Sequence, residues 1–280
     1  MRQRCNAKDH IDSWRRLYEM TASSSDWQVV HRWGYGAHIA AAVAEDVRRK
    51  LILGPEDRVL EVGCASGFFL SMLLHDHQGG FGVDHSEVLV GRSADFCPDR
   101  VRLKLGVAEA ARLPFASNSF DKVFCYSVFQ CFPDRTYARQ TIGEFLRVCR
   151  SGGIILLGDI FGVMEKQRQR LCRIGIPESL ADLLLRPAVP IWHAKQRLRA
   201  PSAPDDQLRR RVYPRSFFRR VLAEREYHTE FLPQQIDGRL VSKSRYDVRI
   251  FKRTPTSERG DIVVPTTKSS ADEQKTAHKQ

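Results

Sequence analysis

The stretch Asp57-Arg58-Val59-Leu60-Glu61-Val62-Gly63-Cys64-Ala65-Ser66-Gly67-Phe68-Phe69-Leu70 changes character twice in quick succession. Val59, Leu60 and Val62 make a short apolar run with β-branched members, which reads as a buried strand. Gly63, Ala65 and Gly67 then put a small residue at every second position. From Phe68 to Leu74 the apolar spacing turns helical, with Phe69, Leu70, Leu73 and Leu74 on one face. A turn without bulky side chains lets a ligand approach the backbone closely. It also serves as a plain tight connection, so the flanking chain has to choose. One ligand class is disfavoured at once: a dinucleotide fingerprint needs glycine where this chain has Phe68.

Towards the C-terminus, Gly79-Gly80 marks a turn and Phe81-Gly82-Val83 a second short strand, ending at Asp84. An acid closing the second strand, about 20 residues after the glycines, can accept hydrogen bonds from both hydroxyls of one ribose. The plainer alternative is a turn aspartate. Ser86 reads as the N-cap of a helix opening at Glu87. Val101 to Leu105, Lys122 to Tyr126 and Ile154 to Gly158 read as strands three to five. Pro133-Asp134 opens a helix with Ala138, Ile142, Phe145 and Cys149 on one face, broken by Ser151-Gly152-Gly153. Towards the N-terminus, Asp12 to Met20 reads as a short helix with Trp14, Leu17 and Tyr18 as its apolar side. Trp27, Trp33 and Tyr35 form an aromatic cluster, either core or a cover over a ligand mouth. Ile39, Val43, Val47 and Leu51 mark an amphipathic helix stopped at Gly54-Pro55.

Glu61-x-Gly63-x-Ala65-x-Gly67 resembles the first motif of the class I S-adenosylmethionine-dependent methyltransferases, type 11 in particular, with Ala65 where the family most often has glycine. The likeness continues through Gly106 to Phe115, Ser119-Phe120-Asp121 and Arg147 to Leu157, and covers about Asp57 to Asp159. It implies S-adenosyl-L-methionine as cofactor and an α/β fold: a doubly wound, Rossmann-like, seven-stranded sheet in the order 3-2-1-4-5-7-6. The last strand is then antiparallel, helices cover both faces, and a lid is inserted after strand five. By resemblance the cofactor contacts are Glu61, Gly63, Cys64, Ala65, Gly67, Asp84, His85, Ala108, Glu109 and Ser127, with Gln130 nearer the acceptor. Val107 departs from the family, standing where an aspartate usually bonds the adenine amino group; one such bond is worth about 0.5–1.5 kcal/mol. Gln130 stands where some relatives have histidine, and an amide cannot act as a base at neutral pH. Asp159 closes strand five beside the same crevice, either touching the acceptor or capping the next segment. Asp159, His193 and His31 are the candidate bases, and no metal site is expected.

The remaining chain sets the organisation. After strand five the strand-helix rhythm stops from Phe161 to Val212, with Ile174 to Leu185 in helical spacing followed by four prolines. It resumes at Pro214 with a helix carrying Phe217, Phe218, Val221 and Leu222, then strands at Tyr227 to Leu232 and Tyr246 to Phe251. The expected layout is one domain over residues 1–253: a helical cap (1–54), the cofactor core (55–160), a basic lid (161–213) and closing elements (214–253), with 254–280 a polar tail. Net charge is +12, and between Phe161 and Arg220 fourteen Lys and Arg face five Asp and Glu, a local +9. Such a surface attracts an anionic partner, or it is a solvated face. Seven cysteines without a C-x-x-C pair read as reduced thiols. Together with the lack of an apolar leader at Met1 to Asn6 and of any run of roughly 18 apolar residues, they point to a cytoplasmic chain.

Three function classes follow. The favoured one is methyl transfer to an oxygen or nitrogen of a small-molecule or glycan-type acceptor, anionic or polyhydroxylated. The second is an RNA methyltransferase using the basic segment, against which no N/D-P-P-Y-like motif follows Tyr126. The third is a non-catalytic binding protein on the same fold, for which Val107 and Ala65 are the sequence signs.

Overall fold

The computed structural model describes residues 7–26, 37–77, 79–97, 102–163, 165–188, 191, 210–223, 227–236, 239–240 and 245–253. The expectations for His31, His193, the Trp27–Tyr35 cluster, residues 192–209 and the tail fall outside these residues.

Two helices, α1 (Ala7–Glu19) and α2 (Ala37–Leu51), precede the strand-turn-helix of β1 (Val59–Val62) and α3 (Phe68–Leu73). Then follow β2 (Gly80–Asp84), α4 (Glu87–Val90), α5 (Ser93–Phe96), β3 (Leu103–Val107), β4 (Phe120–Tyr126), α6 (Arg135–Val148) and β5 (Cys149–Phe161). The insertion contributes α7 (Glu165–Arg173) and α8 (Glu178–Leu185). The chain closes with α9 (Arg215–Ala223), β6 (Tyr227–Leu232), a small hairpin β7 (Gln235–Ile236) and β8 (Arg239–Leu240), and β9 (Arg245–Lys252). The main sheet has the order β3-β2-β1-β4-β5-β9-β6. Leaving the hairpin aside, this is 3-2-1-4-5-7-6, with β9 antiparallel to both of its neighbours.

The central strands are apolar at almost every position because both faces are covered. Leu60, Val123, Cys125, Ile155 and Leu157 pack on the side of α6 and α9 with Phe145 and Phe218. Val59, Phe124, Ile154 and Leu156 point the other way, onto Val47 and Leu51 of α2 and Leu70 and Leu73 of α3. The period of two along each strand produces this split. Each fully buried Leu, Ile or Phe contributes about 1.5–3 kcal/mol.

Several boundaries differ from the sequence reading. β3 runs to Val107, two residues beyond the expected end, because Gly80 to Asp84 of β2 offer Leu103 to Val107 a full ladder. Cys149 is not on the helix face: α6 ends at Val148 and Cys149 begins β5. Gly152-Gly153 stays inside that strand, with a register shift against β4 between Phe120 and Lys122. A Cβ on Gly153 would come within 2.6 Å of Cys149 Sγ and 2.7 Å of Asp121 O, so close packing, not chain breaking, asks for glycine there. The insertion carries two helices instead of one over Ile174–Leu185, since Gly175 takes φ 87° and Pro177 follows.

Candidate active site

At the carboxyl ends of β1, β2, β4 and β5 lies a cavity of about 500 Å³. Its first half is the turn after β1. Gly63 takes φ 84° and Ala65 φ 49°, and Gly63 N and Cys64 N both donate to Val83 O, at 2.7 and 3.1 Å. Asp84 completes the turn: Oδ2 accepts from Ala65 N and Oδ1 from Ser86 N, each at 2.9 Å. Each carboxylate oxygen keeps a second lone pair, and Asp84 lines the cavity with Glu61, Gly63, Cys64, Ala65, His85, Ala108 and Glu109. Glu109 accepts from Tyr137 Oη at 2.7 Å. Gly67 is not among the lining residues. A Cβ on it would meet Leu105 at 2.8 Å and Leu103 at 3.1 Å, so its bareness serves packing beneath α3, with φ 81° at that helix's start.

The second half is polar and densely bonded. Ser127 (φ 61°) follows β4, and Asp159 (φ 62°) sits at an irregularity of β5 between Leu157 and Ile160. Ser127 Oγ donates to Asp159 Oδ2 at 2.7 Å, while Gln130 Nε2 donates to Ser127 O at 2.7 Å and to its Oγ at 3.0 Å. Asp159 is buried and also accepts from Gln234 Nε2 at 3.0 Å and pairs with Arg245. Behind it, Asp159 N donates to Asp247 Oδ1 at 2.8 Å, and Lys50 Nζ reaches Asp247 Oδ2 at 2.6 Å. The structure brings Ser127, Gln130 and Asp159, three residues named in the sequence reading, into one bonded group and adds Arg245, Gln234 and Tyr126, which that reading missed. It also adds α1, whose Ile11, Trp14, Arg15 and Tyr18 line the cavity. The apolar side of that helix was visible in the sequence, but its docking was not. Ser86 Oγ donating to Glu19 Oε1 at 2.7 Å pins α1 to the start of α4.

Among the described residues, three cavity-lining groups have a buried polar atom without a hydrogen-bond partner: Glu61 Oε2, His85 Nε2 and Gln130 Oε1. Burial, with the charge of Asp84 nearby, raises the Glu61 carboxyl well above the usual carboxylate range. A cation placed beside it favours the ionised form instead. Orphaned oxygens at Glu61 and Gln130 and the remaining lone pairs of Asp84 fit a ligand that bears hydroxyls, an ammonium and a sulfonium. Burial also pushes the Cys131 thiol up to about 12, which keeps it unreactive. No His/Cys/Asp/Glu group able to hold a metal occurs among the described residues, and no helix among them is long and apolar enough to cross a membrane.

Residues 60–157 match the family model of a methyltransferase domain. The chain is 32% identical over 170 residues to chondramide synthase of Chondromyces crocatus, a match covering 54% of this chain and 4% of that protein. It is 31% identical over 130 residues to the 27-O-demethylrifamycin SV methyltransferase of Amycolatopsis mediterranei, covering 42% and 46%. The chain thus spans less than half the length of either relative. Among solved structures, magnesium protoporphyrin IX methyltransferase from Synechocystis PCC 6803 with bound S-adenosylhomocysteine superposes with a TM-score of 0.57 over 88% of this chain and 100% of that one, at 14% identity. That likeness concerns the fold. The matched domain, the strand order and the cavity at the strand ends together make this chain similar to the class I S-adenosylmethionine-dependent methyltransferases.

Proposed function

We propose that the chain transfers a methyl group from S-adenosyl-L-methionine to an oxygen or nitrogen of a small-molecule or glycan-type acceptor. One observation carries this reading: Glu61 and Asp84 share a single cavity with the bonded group of Ser127, Gln130 and Asp159. A relative named for a rifamycin-type acceptor supports a small molecule, and so does the cavity's covering by Trp14 and Tyr18, which suits a compact acceptor better than a polymer. Asp84 would hold the ribose hydroxyls, Glu61 and the Gly63–Ala65 backbone the amino-acid end, and His85, Ala108 and Glu109 the base.

The bound cofactor supplies an already activated sulfonium methyl group. The protein's part is to hold the nucleophile in line, which contributes roughly 7–11 kcal/mol. Gln130 and Asp159 orient Ser127 Oγ and leave it one lone pair. A hydroxyl acceptor donates its proton there while the Ser127 proton passes to Asp159 Oδ2. Arg245 and Gln234 hold the Asp159 carboxylate in place. No side chain beyond these is required, and an amine acceptor needs the same positioning with an easier proton loss.

Calorimetric titration decides the cofactor: S-adenosylmethionine binds and a nicotinamide dinucleotide does not. The opposite result sinks the reading. For the transfer itself, labelled methyl groups from the cofactor should enter a small-molecule extract and not an RNA pool. Ser127→Ala lowers kcat by about 10²- to 10⁴-fold with cofactor affinity unchanged; an unaltered kcat removes Ser127 from the proton path.

A further inference from the structure

We infer that the methyl acceptor carries an oxyanion, a carboxylate or a phosphate, and that Arg210 receives it at the mouth of the cavity. This rests on the methyl-transfer reading above and names the acceptor class for that site. Arg210 enters from the insertion's last described segment. The chain there is strapped across the acceptor end at two points: Arg211 N donates to Gln130 O and Tyr213 N to Phe161 O, both at 2.8 Å. Tyr213 itself is buried in the core. These bonds place Arg210 on the cavity wall beside Gln130 and Cys131, with its guanidinium 5.7 Å from the Phe161 ring centroid.

Three guanidinium groups line the cavity. Arg15 pairs with Asp12 at 3.0 Å. Arg245, 4.1 Å from the same Phe161 ring, pairs with Asp159. Arg210 has no carboxylate partner among the described residues, and its side chain is exposed to the opening. A guanidinium is weakly hydrated, keeps its charge at any working pH and offers a planar fork to carboxylate or phosphate oxygens. The backbone next to it is held on the Gln130 side by Arg211 N, so Arg210 addresses the acceptor half of the cavity. Asp159, which lines the same cavity, is already balanced by Arg245. Among the described lining residues, the positive charge left for a ligand is therefore that of Arg210.

The test uses the full chain saturated with S-adenosylhomocysteine and three probes of one shape: 4-hydroxybenzoate, 4-hydroxyphenyl phosphate and neutral 4-hydroxybenzamide. Calorimetry should find at least one oxyanion probe bound tenfold or more tightly than the amide, and which one wins separates carboxylate from phosphate. In Arg210→Gln the advantage disappears, in Arg210→Lys part of it survives, and homocysteine-product affinity stays within twofold of wild type, which also reports an intact fold. Equal binding of all three probes by wild type, or absence of any oxyanion binding, overturns the inference and leaves the methyl-transfer reading standing. Loss of S-adenosylhomocysteine affinity in Arg210→Gln overturns it too, by assigning Arg210 to the cofactor. Failure of wild type to bind S-adenosylhomocysteine removes the underlying reading itself.

Discussion

Ala65, Ser127 and Asp159 line the cavity with left-handed backbone, at φ 49°, 61° and 62°. For residues bearing a Cβ this conformation costs roughly 1–2 kcal/mol each, and such strain persists where surrounding bonds over-determine it. At Ala65 those bonds are its own N–H to the Asp84 carboxylate and, just before it, Gly63 N and Cys64 N to the Val83 carbonyl. Ala65→Gly should therefore raise stability in urea unfolding by roughly 0.5–1 kcal/mol, the strain relieved less the entropy of a glycine, and leave cofactor affinity no weaker. A loss of stability would mean that Ala65 is not strained. Asp84→Ala should weaken S-adenosylmethionine binding by about 1.5–3 kcal/mol, read by calorimetry against wild type; equal affinities exclude Asp84 from the ribose. Glu61 adds a pH dependence. Its folded carboxyl is raised by burial, so the native chain holds a proton there that the unfolded chain releases. The associated stability is present below the ordinary value of 4.5 and is lost as pH rises from there through the folded value. Without ligand, Glu61→Gln should be more stable than wild type by a margin that grows over that window. A margin independent of pH would contradict the buried-acid description.

At the scale of elements, the insertion is anchored at its base by a charged cluster. Glu165 at the start of α7 pairs with Arg215 at the start of α9 and lies 3.2 Å from Arg168, and all three are buried. Burial lowers the Arg215 guanidinium, with Glu165 opposing that shift, and its face packs 5.0 Å from the Tyr246 ring centroid. Removing one partner of such a cluster leaves an uncompensated buried charge, which costs about 3–5 kcal/mol. Glu165→Gln should lose that amount in urea unfolding. A change within 0.5 kcal/mol, the usual range of surface substitutions, would show that α7 carries no structural weight. The spacing of Ile174 to Leu185 predicted a helix because Leu180, Leu183 and Leu184 recur at helical intervals. Those three are exposed, while Ala181, next to Leu184 on the helix surface, is buried. Periodicity reported the helix, which runs over Glu178–Leu185, but not its orientation, since nothing local says which side meets the domain.

Across the whole molecule, Lys50 ties the N-terminal part to the last strand. From α2 it reaches Asp247 of β9 at 2.6 Å, Pro233 O at 2.8 Å and Asp46 of its own helix. Asp247 in turn accepts from Gln234 and from the backbone of Asp159, so the Asp159 side of the cavity is held by residues far apart in sequence. Burial raises the Asp247 carboxyl, and Lys50 opposes that shift. Lys50→Met leaves the buried Asp247 carboxylate without its cation, while Asp46 keeps Arg49 at 2.9 Å, and should cost about 3–5 kcal/mol of stability. It should also lower kcat more than cofactor affinity, because Asp159 loses its support while Asp84 does not. Equal losses in both would place the effect in global unfolding.

The sequence by itself determined the strand-turn-helix around Gly63, the N-caps at Ser86 and Asp134, the order of the elements and the acids at 61 and 84. These are local matters: a period of two or 3.6, a small residue at a turn, an acid at a strand end. Only the tertiary structure decided that Gly67 serves packing, that α1 covers the cavity, and that Asp159 meets Arg245 and Gln234, 86 and 75 residues away. Lys50 and Asp247 are 197 residues apart. No local pattern encodes such pairs. They form because the sheet order sets β5 beside β9 and because a buried charge must find its opposite once water has been excluded.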